Sequence, residues 1–404
     1  MYQLLIVLFT IFFIILLVVK GVQTGLTLLF ASIFLSLFLA PQKFFDILFE
    51  ALTYEKTWFL ISISAAISIL AEMYRRTRMI NDLGIGLVKV LKSSKLAVVV
   101  TPAIIGLLPV AGGALMSAPI VDALKDSLGF SLDMAVYANV WFRHTIFMFY
   151  PLSQLLITIS ALTGVPIETL ALRHIPISLF MVLVGYIISF KDAKKVSKVE
   201  LKVEKFPLKI SITPLLSSLV SAVLLKSFFG DFGMVLGVLI GIFSLIWLSK
   251  ADFKVIVSSL NNSRVRGVTF AAFSIMYLQK AFVLSGGAYA LTSSIISLNI
   301  PLIVLEFTIP GFLSLISGST LTGVVLTLPI FESIGSLSSL DVSSIFISSY
   351  LYYLASPVHL CFVYTAEYFS RPLTKAYKYM LPSVLLSLLF AFIYFAFLSF
   401  WIGV

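Results

Sequence analysis

The chain has 404 residues, 60% of them apolar and 11% charged, with 28 Lys and Arg against 18 Asp and Glu. Soluble domains run at roughly 45–50% apolar and about 25% charged, so this composition excludes a water-soluble enzyme and makes lipid the solvent. Nucleic acid is excluded as a partner, because the basic residues fall between apolar blocks instead of on a face interleaved with aromatics.

The first block, 2–19, has no basic residue before it and no small-residue cleavage site after Lys20, so it reads as a first span and not as a removable signal peptide. A helix needs about 20 mostly apolar residues to cross about 30 Å of hydrocarbon. Further blocks follow at 24–40, 57–73, 96–120, 131–163, 174–190, 211–227, 231–249, 266–285, 300–330, 341–365 and 381–401. The blocks 96–120 and 300–330 are interrupted by Pro102, Pro109, Gly112, Gly113 and Pro119, and by Pro301, Pro310, Gly318, Gly323 and Pro329. In hydrocarbon such breaks are tolerated where protein or a water-filled cavity satisfies the freed backbone groups, which predicts re-entrant hairpins.

Charge decides between a hairpin and a kinked full span. Six basic residues lie in 72–95 and seven in 191–209, and the positive-inside rule places both segments in the cytoplasm. They fall on one side only if 96–120 turns back. With both interrupted blocks as hairpins, ten spans remain and both termini lie outside, with inside loops holding Lys20, Lys125, Arg371 and most other basic residues. The localisation that follows is the cell inner (plasma) membrane, multi-pass.

The blocks recur. Pro102 and Pro310 are 208 residues apart, and the starts 24 and 231, 57 and 266, and 96 and 300 keep nearly the same offset. Residues 1–190 read as one repeat, 191–209 as a charged cytoplasmic linker and 210–404 as a second repeat. Each repeat holds two spans, an amphipathic stretch (42–55; 251–263), a span, a hairpin, a broken helix (131–163; 341–365) and a span. Five crossings per repeat is an odd number, so the halves run in opposite senses. The predicted fold class is therefore an all-α polytopic membrane protein of about ten transmembrane helices plus two re-entrant hairpins in two inverted-topology repeats. Secondary transporters of this kind bind substrate and ions near the midplane, where discontinuous helices meet.

Candidate site residues cluster at the breaks. Arg143 lies inside an apolar block, where a cation costs roughly 2.5–3.5 kcal/mol even on the lenient insertion scale. It is expected to face a cavity and pair with an anionic substrate, the competing readings being an ion pair with Glu306 or snorkelling to the interface. Asn139 and His144 accompany it, and Ser356-Pro357 places His359 at the break of the matching block. The hairpin tips offer Gly112, Gly113 and Ser117 in one and Ser317, Gly318, Ser319 and Thr320 in the other. A helix starting after each tip would aim free N–H groups at an anion, the alternative being close helix packing by small residues. Glu306, His144 and Thr322 are candidates for coupling-ion chemistry, Glu306 also being a possible partner for Lys280. Arg173 and His174 read as interfacial. No catalytic or metal-ligating residue is expected. The single cysteine, Cys361, cannot form an internal disulfide, and no His and Cys residues have zinc spacing. No cofactor is expected beyond Na⁺ as a coupling ion.

At Pro102-Ala-Ile-Ile-Gly-Leu-Leu-Pro109, Gly112-Gly-Ala-Leu, Ser117-Ala-Pro119, Trp141-Phe-Arg-His144, Ser356-Pro-Val-His-Leu-Cys361 and Glu367-Tyr-Phe369 the chain resembles a prokaryotic integral-membrane family known as domain of unknown function 401. The resemblance covers most of the chain. It implies kinship with the ion-transporter superfamily of gluconate permeases and di- and tricarboxylate symporters, hence inverted repeats, re-entrant hairpins and homodimers working by elevator-type motion. The first tip is glycine-rich and lacks the Ser-Asn-Thr pattern of the carboxylate symporters, while Arg143-His144 match the Phe-Arg-His expected of the family. The expected function is secondary transport of a small organic anion, a carboxylate or sugar acid, coupled to Na⁺ or H⁺. Competing readings are a membrane-embedded enzyme on a lipid-linked or peptide substrate, which lacks His-Glu-x-x-His, Gly-x-Ser-x-Gly and an Asp pair on neighbouring spans here, and a passive anion channel.

Overall fold

The computed structural model describes residues 2–108, 114–191, 205–290 and 300–402. Gly112 and Gly113, and all of the expected linker but its ends, lie outside the described residues. The chain is an all-α polytopic membrane protein, and every described element is a helix.

Five helices precede the first hairpin: α1 (Tyr2–Val19), α2 (Thr24–Leu39), α3 (Phe44–Thr53), α4 (Glu55–Arg76) and α5 (Met79–Leu91). The hairpin arms are α6 (Ser94–Gly106) and α7 (Ala114–Leu128). A broken helix, α8 (Leu132–Arg143) and α9 (Gln154–Thr163), leads to α10 (Ile167–Phe190). The order then recurs, apart from α5. Residues 205–290 form α11 (Leu208–Phe229), α12 (Asp231–Ser249), α13 (Phe253–Leu260) and α14 (Ser263–Leu284). A second hairpin, α15 (Leu302–Ser317) and α16 (Thr320–Glu332), precedes the broken helix α17 (Ser339–Leu354) and α18 (Leu360–Tyr368), and α19 (Leu373–Ile402) closes the chain.

Seven stretches among the described residues are long and apolar enough to cross a membrane: α1, α4, α10, α11, α12, α13 continued into α14, and α19. The sixteen residues of α2 and the pairs α8/α9 and α17/α18 are the counterparts of the other three spans read from the sequence. Phe243, Trp247, Leu385 and Phe400 stand on outward faces of α12 and α19, where only hydrocarbon stabilises large apolar groups.

Local chemistry sets the breaks. Ser93, Ser131, Ser319 and Ser338 cap the first turns of α6, α8, α16 and α17, each side-chain oxygen accepting from a backbone N–H. Ser338 and Asp341 complete a reciprocal capping box. α15 ends at Gly318 in the left-handed conformation (φ +64°), where an added Cβ would also lie 2.9 Å from the Val358 carbonyl, so only glycine makes this tip.

The helices interlock between the halves: α2 packs on α14, and α4 on both α12 and α14. Gly233, Gly237 and Gly241 form a small-residue seam on α12. A Cβ at Gly237 would lie 2.2 Å from the Ala222 backbone of α11, so glycine sets the helix separation. The Tyr74 hydroxyl of α4 donates to the Ser211 carbonyl at 2.9 Å and accepts from the Leu215 amide at 3.0 Å. It thereby stands between the two ends of a helical i→i−4 step in α11, next to Pro214. At another face Asp133 of α8 pairs with Arg371, in the turn between α18 and α19, at 2.7 Å.

The structure corrects two sequence expectations here. The segment 72–95 is no open charged loop: α5 occupies most of it, entered and left through Arg78 and Lys92 in left-handed conformations. His174 is not interfacial either. α10 begins at Ile167, seven residues earlier than the apolar block suggests, so His174 lies inside the protein, fully buried, with Nδ1 2.8 Å from the Met148 carbonyl and its ring stacked on Phe346.

Candidate functional site

Two chain breaks meet at one place. α8 ends at Arg143 and His144, and the turn between α17 and α18 brings His359 against them, the two imidazoles 4.8 Å apart and edge to face. Tyr350 fixes the first break by donating to the His144 carbonyl at 2.7 Å, and Tyr353 lies 4.0 Å, ring to ring, from His359. Helices that stop in mid-protein leave carbonyls without partners, and the Tyr350 hydroxyl supplies one here.

Arg143, His144, Tyr350 and Tyr353 border a cavity of about 790 Å³; His359 is not among its described lining residues, although Val358 and Leu360 on either side of it are. Arg143, His144, Tyr350 and Cys361 line one side, and the tip of the second hairpin, Ser317, Gly318, Ser319 and Thr320, lines the other. Val18 to Thr24, between α1 and α2, form part of its wall.

Arg143 is 2% exposed and makes no ion pair among the described residues. Nη2 donates weakly to the Leu108 carbonyl of the first hairpin at 3.4 Å, and Nη1 is buried with no hydrogen-bond partner among the described residues. α6 approaches it through Gly106, whose added Cβ would lie 2.5 Å from the Arg143 carbonyl. The guanidinium thus touches the first hairpin and shares a cavity with the tip of the second.

The alternatives for the buried charges separate cleanly. Glu306 is 2% exposed and accepts from the Ser344 hydroxyl, with its second oxygen unpartnered; it pairs with neither Arg143 nor Lys280. Lys280 pairs instead with Glu50 at 3.3 Å and lies over the Tyr54 ring. Glu306 and Thr322 do not line the cavity. The Thr322 amide is capped by Ser319, while the hydroxyls of Thr320 and Thr322 are buried without partners. Around Gly323 the Ser314 and Ser349 hydroxyls converge with the Pro310 carbonyl, each within 2.9 Å of where a Cβ would stand.

Asn139 and Ser117 lie deeper, behind the cavity. Asn139 donates from Nδ2 to the Ala114 carbonyl at 2.9 Å and to Thr365 at 3.2 Å, leaving Oδ1 buried and unpartnered, while Ser117 donates to the same Ala114 carbonyl at 3.3 Å. They join the start of α7 to α8 and α18. Sequence reading missed Tyr350, Tyr353 and Cys361 as cavity residues. Tyrosines in an apolar block carry no charge signal, and Cys361 lacked any metal or disulfide spacing.

A family model matches residues 2–398; its description is "Protein of unknown function (DUF401)". No curated protein sequence matches the chain. Among solved structures the chain is similar to the Alcanivorax borkumensis YdaH transporter, described as having an unusual topology, with a TM-score of 0.64 at 13% identity, covering 97% of this chain and 98% of that one. At that identity the likeness is one of fold.

Proposed function

Since the chain belongs to the DUF401 family, whose description carries no activity, we propose its function from its own site: secondary active transport of a small organic anion, a carboxylate or sugar acid. The observation that carries this reading is the Arg143 guanidinium, buried, free of any carboxylate among the described residues, with one unpartnered nitrogen beside a cavity. A buried charge without a counter-ion is strongly unfavourable, and an anionic ligand resolves it. The N-terminus of α16 and the Ser319 hydroxyl border the same cavity and add the positive dipole end and a further donor, the Ser317 hydroxyl beside them being committed to the Leu313 carbonyl. The fold likeness to a transporter supports the same reading.

The recurrence of element order supports two inverted repeats, 1–190 and 210–404, whose hairpins enter from opposite faces. We assign coupling to Na⁺ or H⁺. The oxygens around Gly323 have the hard-donor character that Na⁺ prefers, and Glu306 and His144 are groups able to carry a proton. We further propose a homodimer in the plasma membrane with both termini outside, the orientation resting on the distribution of basic residues.

Reconstituted proteoliposomes test the proposal by gradient-driven uptake of labelled carboxylates, sugar acids and inorganic anions. Charge-assisted hydrogen bonds contribute about 1.5–3 kcal/mol, so Arg143→Ala should lower apparent affinity by roughly ten- to a hundred-fold, with Arg143→Lys in between. Uptake unchanged in Arg143→Ala would remove the anion site, and large currents in planar bilayers without a coupling gradient would make the protein a channel.

A further inference from the structure

One cluster at the edge of the cavity, with His144 and Cys361 in its wall and His359 buried behind them, has a donor set that anion binding does not use. His144, His359 and Cys361 each offer one ligand atom, and the three atoms lie within 4.8 Å of one another. We infer that these residues bind a single monovalent soft metal ion of the Cu⁺ class.

The geometry favours metal over packing. His144 is committed through Nδ1, 2.6 Å from the Val140 carbonyl, which leaves Nε2 as a ligand and fixes the ring as second-shell carbonyls do in metal sites. His359 is fully buried, and among the described residues its ring nitrogens have only the Leu354 carbonyl nearby, outside good hydrogen-bond geometry. A buried imidazole so poorly partnered is unfavourable, and a metal bond supplies a partner. Cys361 is half-buried and lines the cavity, so it gives the ion a way in. Donors around one ion, bonded at about 2.0–2.3 Å, stand closer together than the outer limit here, so a bound ion draws the three side chains inward.

Ligand type and charge select the ion. Thiolate and imidazole together are the donors of soft ions, and no fourth His, Cys, Asp or Glu among the described residues joins the group. Thiolate ligands select Cu⁺, and the same three residues would hold Zn²⁺ only with water as a fourth ligand. One thiolate neutralises a monovalent ion, but a divalent ion would leave a second positive charge beside the unpaired Arg143. A bound ion would tie the break after α8 to the break before α18.

The test uses the full chain purified in detergent, in chloride-free buffer, with Ag⁺ as a redox-inert probe. Cys361 is the only thiol, so maleimide labelling reads the site directly. Ag⁺ should protect it, and equilibrium dialysis should show about one equivalent more Ag⁺ on the native chain than on Cys361→Ser. In His144→Gln and His359→Gln, protection should require at least about ten-fold more Ag⁺. Equal protection in both variants would reduce the site to a lone thiolate, and Zn²⁺ protecting as well as Ag⁺ would overturn the monovalent assignment. Should the variants lose their gel-filtration peak, X-ray absorption of the Cu⁺-loaded native chain decides: one sulfur and two imidazoles support the site, and sulfur alone overturns it. No transport is measured, so the outcome is independent of the anion reading.

Discussion

Arg143 depends on a residue that carries no chemistry of its own. A methyl at Gly106 would stand 2.5 Å from the Arg143 carbonyl and 3.1 Å from its Cγ, so Gly106→Ala must push α6 away or turn the guanidinium. Overpacking of this kind costs about 1–3 kcal/mol. The expected outcome is a lowered melting temperature in detergent together with uptake reduced towards that of Arg143→Ala; a variant that melts lower yet transports normally would show that Arg143 tolerates displacement. Glu306→Gln keeps an acceptor for Ser344 but cannot release a proton. If Glu306 carries the coupling proton, uptake driven by a pH gradient is lost while substrate exchange at equal pH survives; retained pH-driven uptake would assign the proton to another group, and a native chain driven by a Na⁺ gradient alone would assign coupling to Na⁺. At this scale the sequence exposed the charged residues well, since Arg143, Glu306 and Lys280 are conspicuous in apolar surroundings. It concealed Cys361. Residues two apart on a helix face apart, and His359 and Cys361 converge only because His359 sits in extended conformation just before α18 (φ −66°, ψ 104°).

Proline and glycine made the broken elements legible. Gly318 ends one helix and Pro357 stands in the turn between α17 and α18, as the interrupted apolar pattern suggests, whereas Pro102 and Pro310 lie inside α6 and α15 without ending them. α5 was hidden because Arg75, Arg76, Arg78, Lys89, Lys92 and Lys95 surround it with charge. Its apolar spacing, Met79, Ile80, Leu83 and Leu87, is nevertheless helical, and all four are buried. The tightest element pair, α11 against α12, depends on the glycines at 233, 237 and 241. Gly237→Val should destabilise it by about 1–3 kcal/mol, seen as a lower melting temperature, whereas Gly230→Ala is expected to strain only its own left-handed turn (φ +60°), since no atom lies within 4 Å of an added Cβ. Equal losses from the two would argue against the seam.

For the whole molecule, the composition and the twelve apolar blocks were enough to read a polytopic membrane fold, because burial in lipid leaves a compositional mark that no soluble packing imitates. Which blocks touch was not readable: nothing in the sequence pairs α2 with α14 or α4 with α12. The proposed inverted arrangement has its own test. In a Cys361→Ser background, cysteines at Lys92 and Asp126, which flank the first hairpin, should react with an impermeant label from one side, and cysteines at Ile300 and Ser336, which flank the second, from the opposite side. Members of either pair labelling from different faces would turn that hairpin into a full crossing and abolish the symmetry. The Tyr74 hydroxyl sets a mechanical limit on any such molecule that cycles between two states. Drawing α4 away from α11 would leave the Tyr74 hydroxyl without either partner in an apolar interior, at about 1–3 kcal/mol, while the Ser211 carbonyl and the Leu215 amide, four residues apart, are free to close on each other as an ordinary helical step. The hydroxyl thus acts as a latch between these two helices, and sliding in an alternating-access cycle costs less at surfaces of the bundle that carry no such latch.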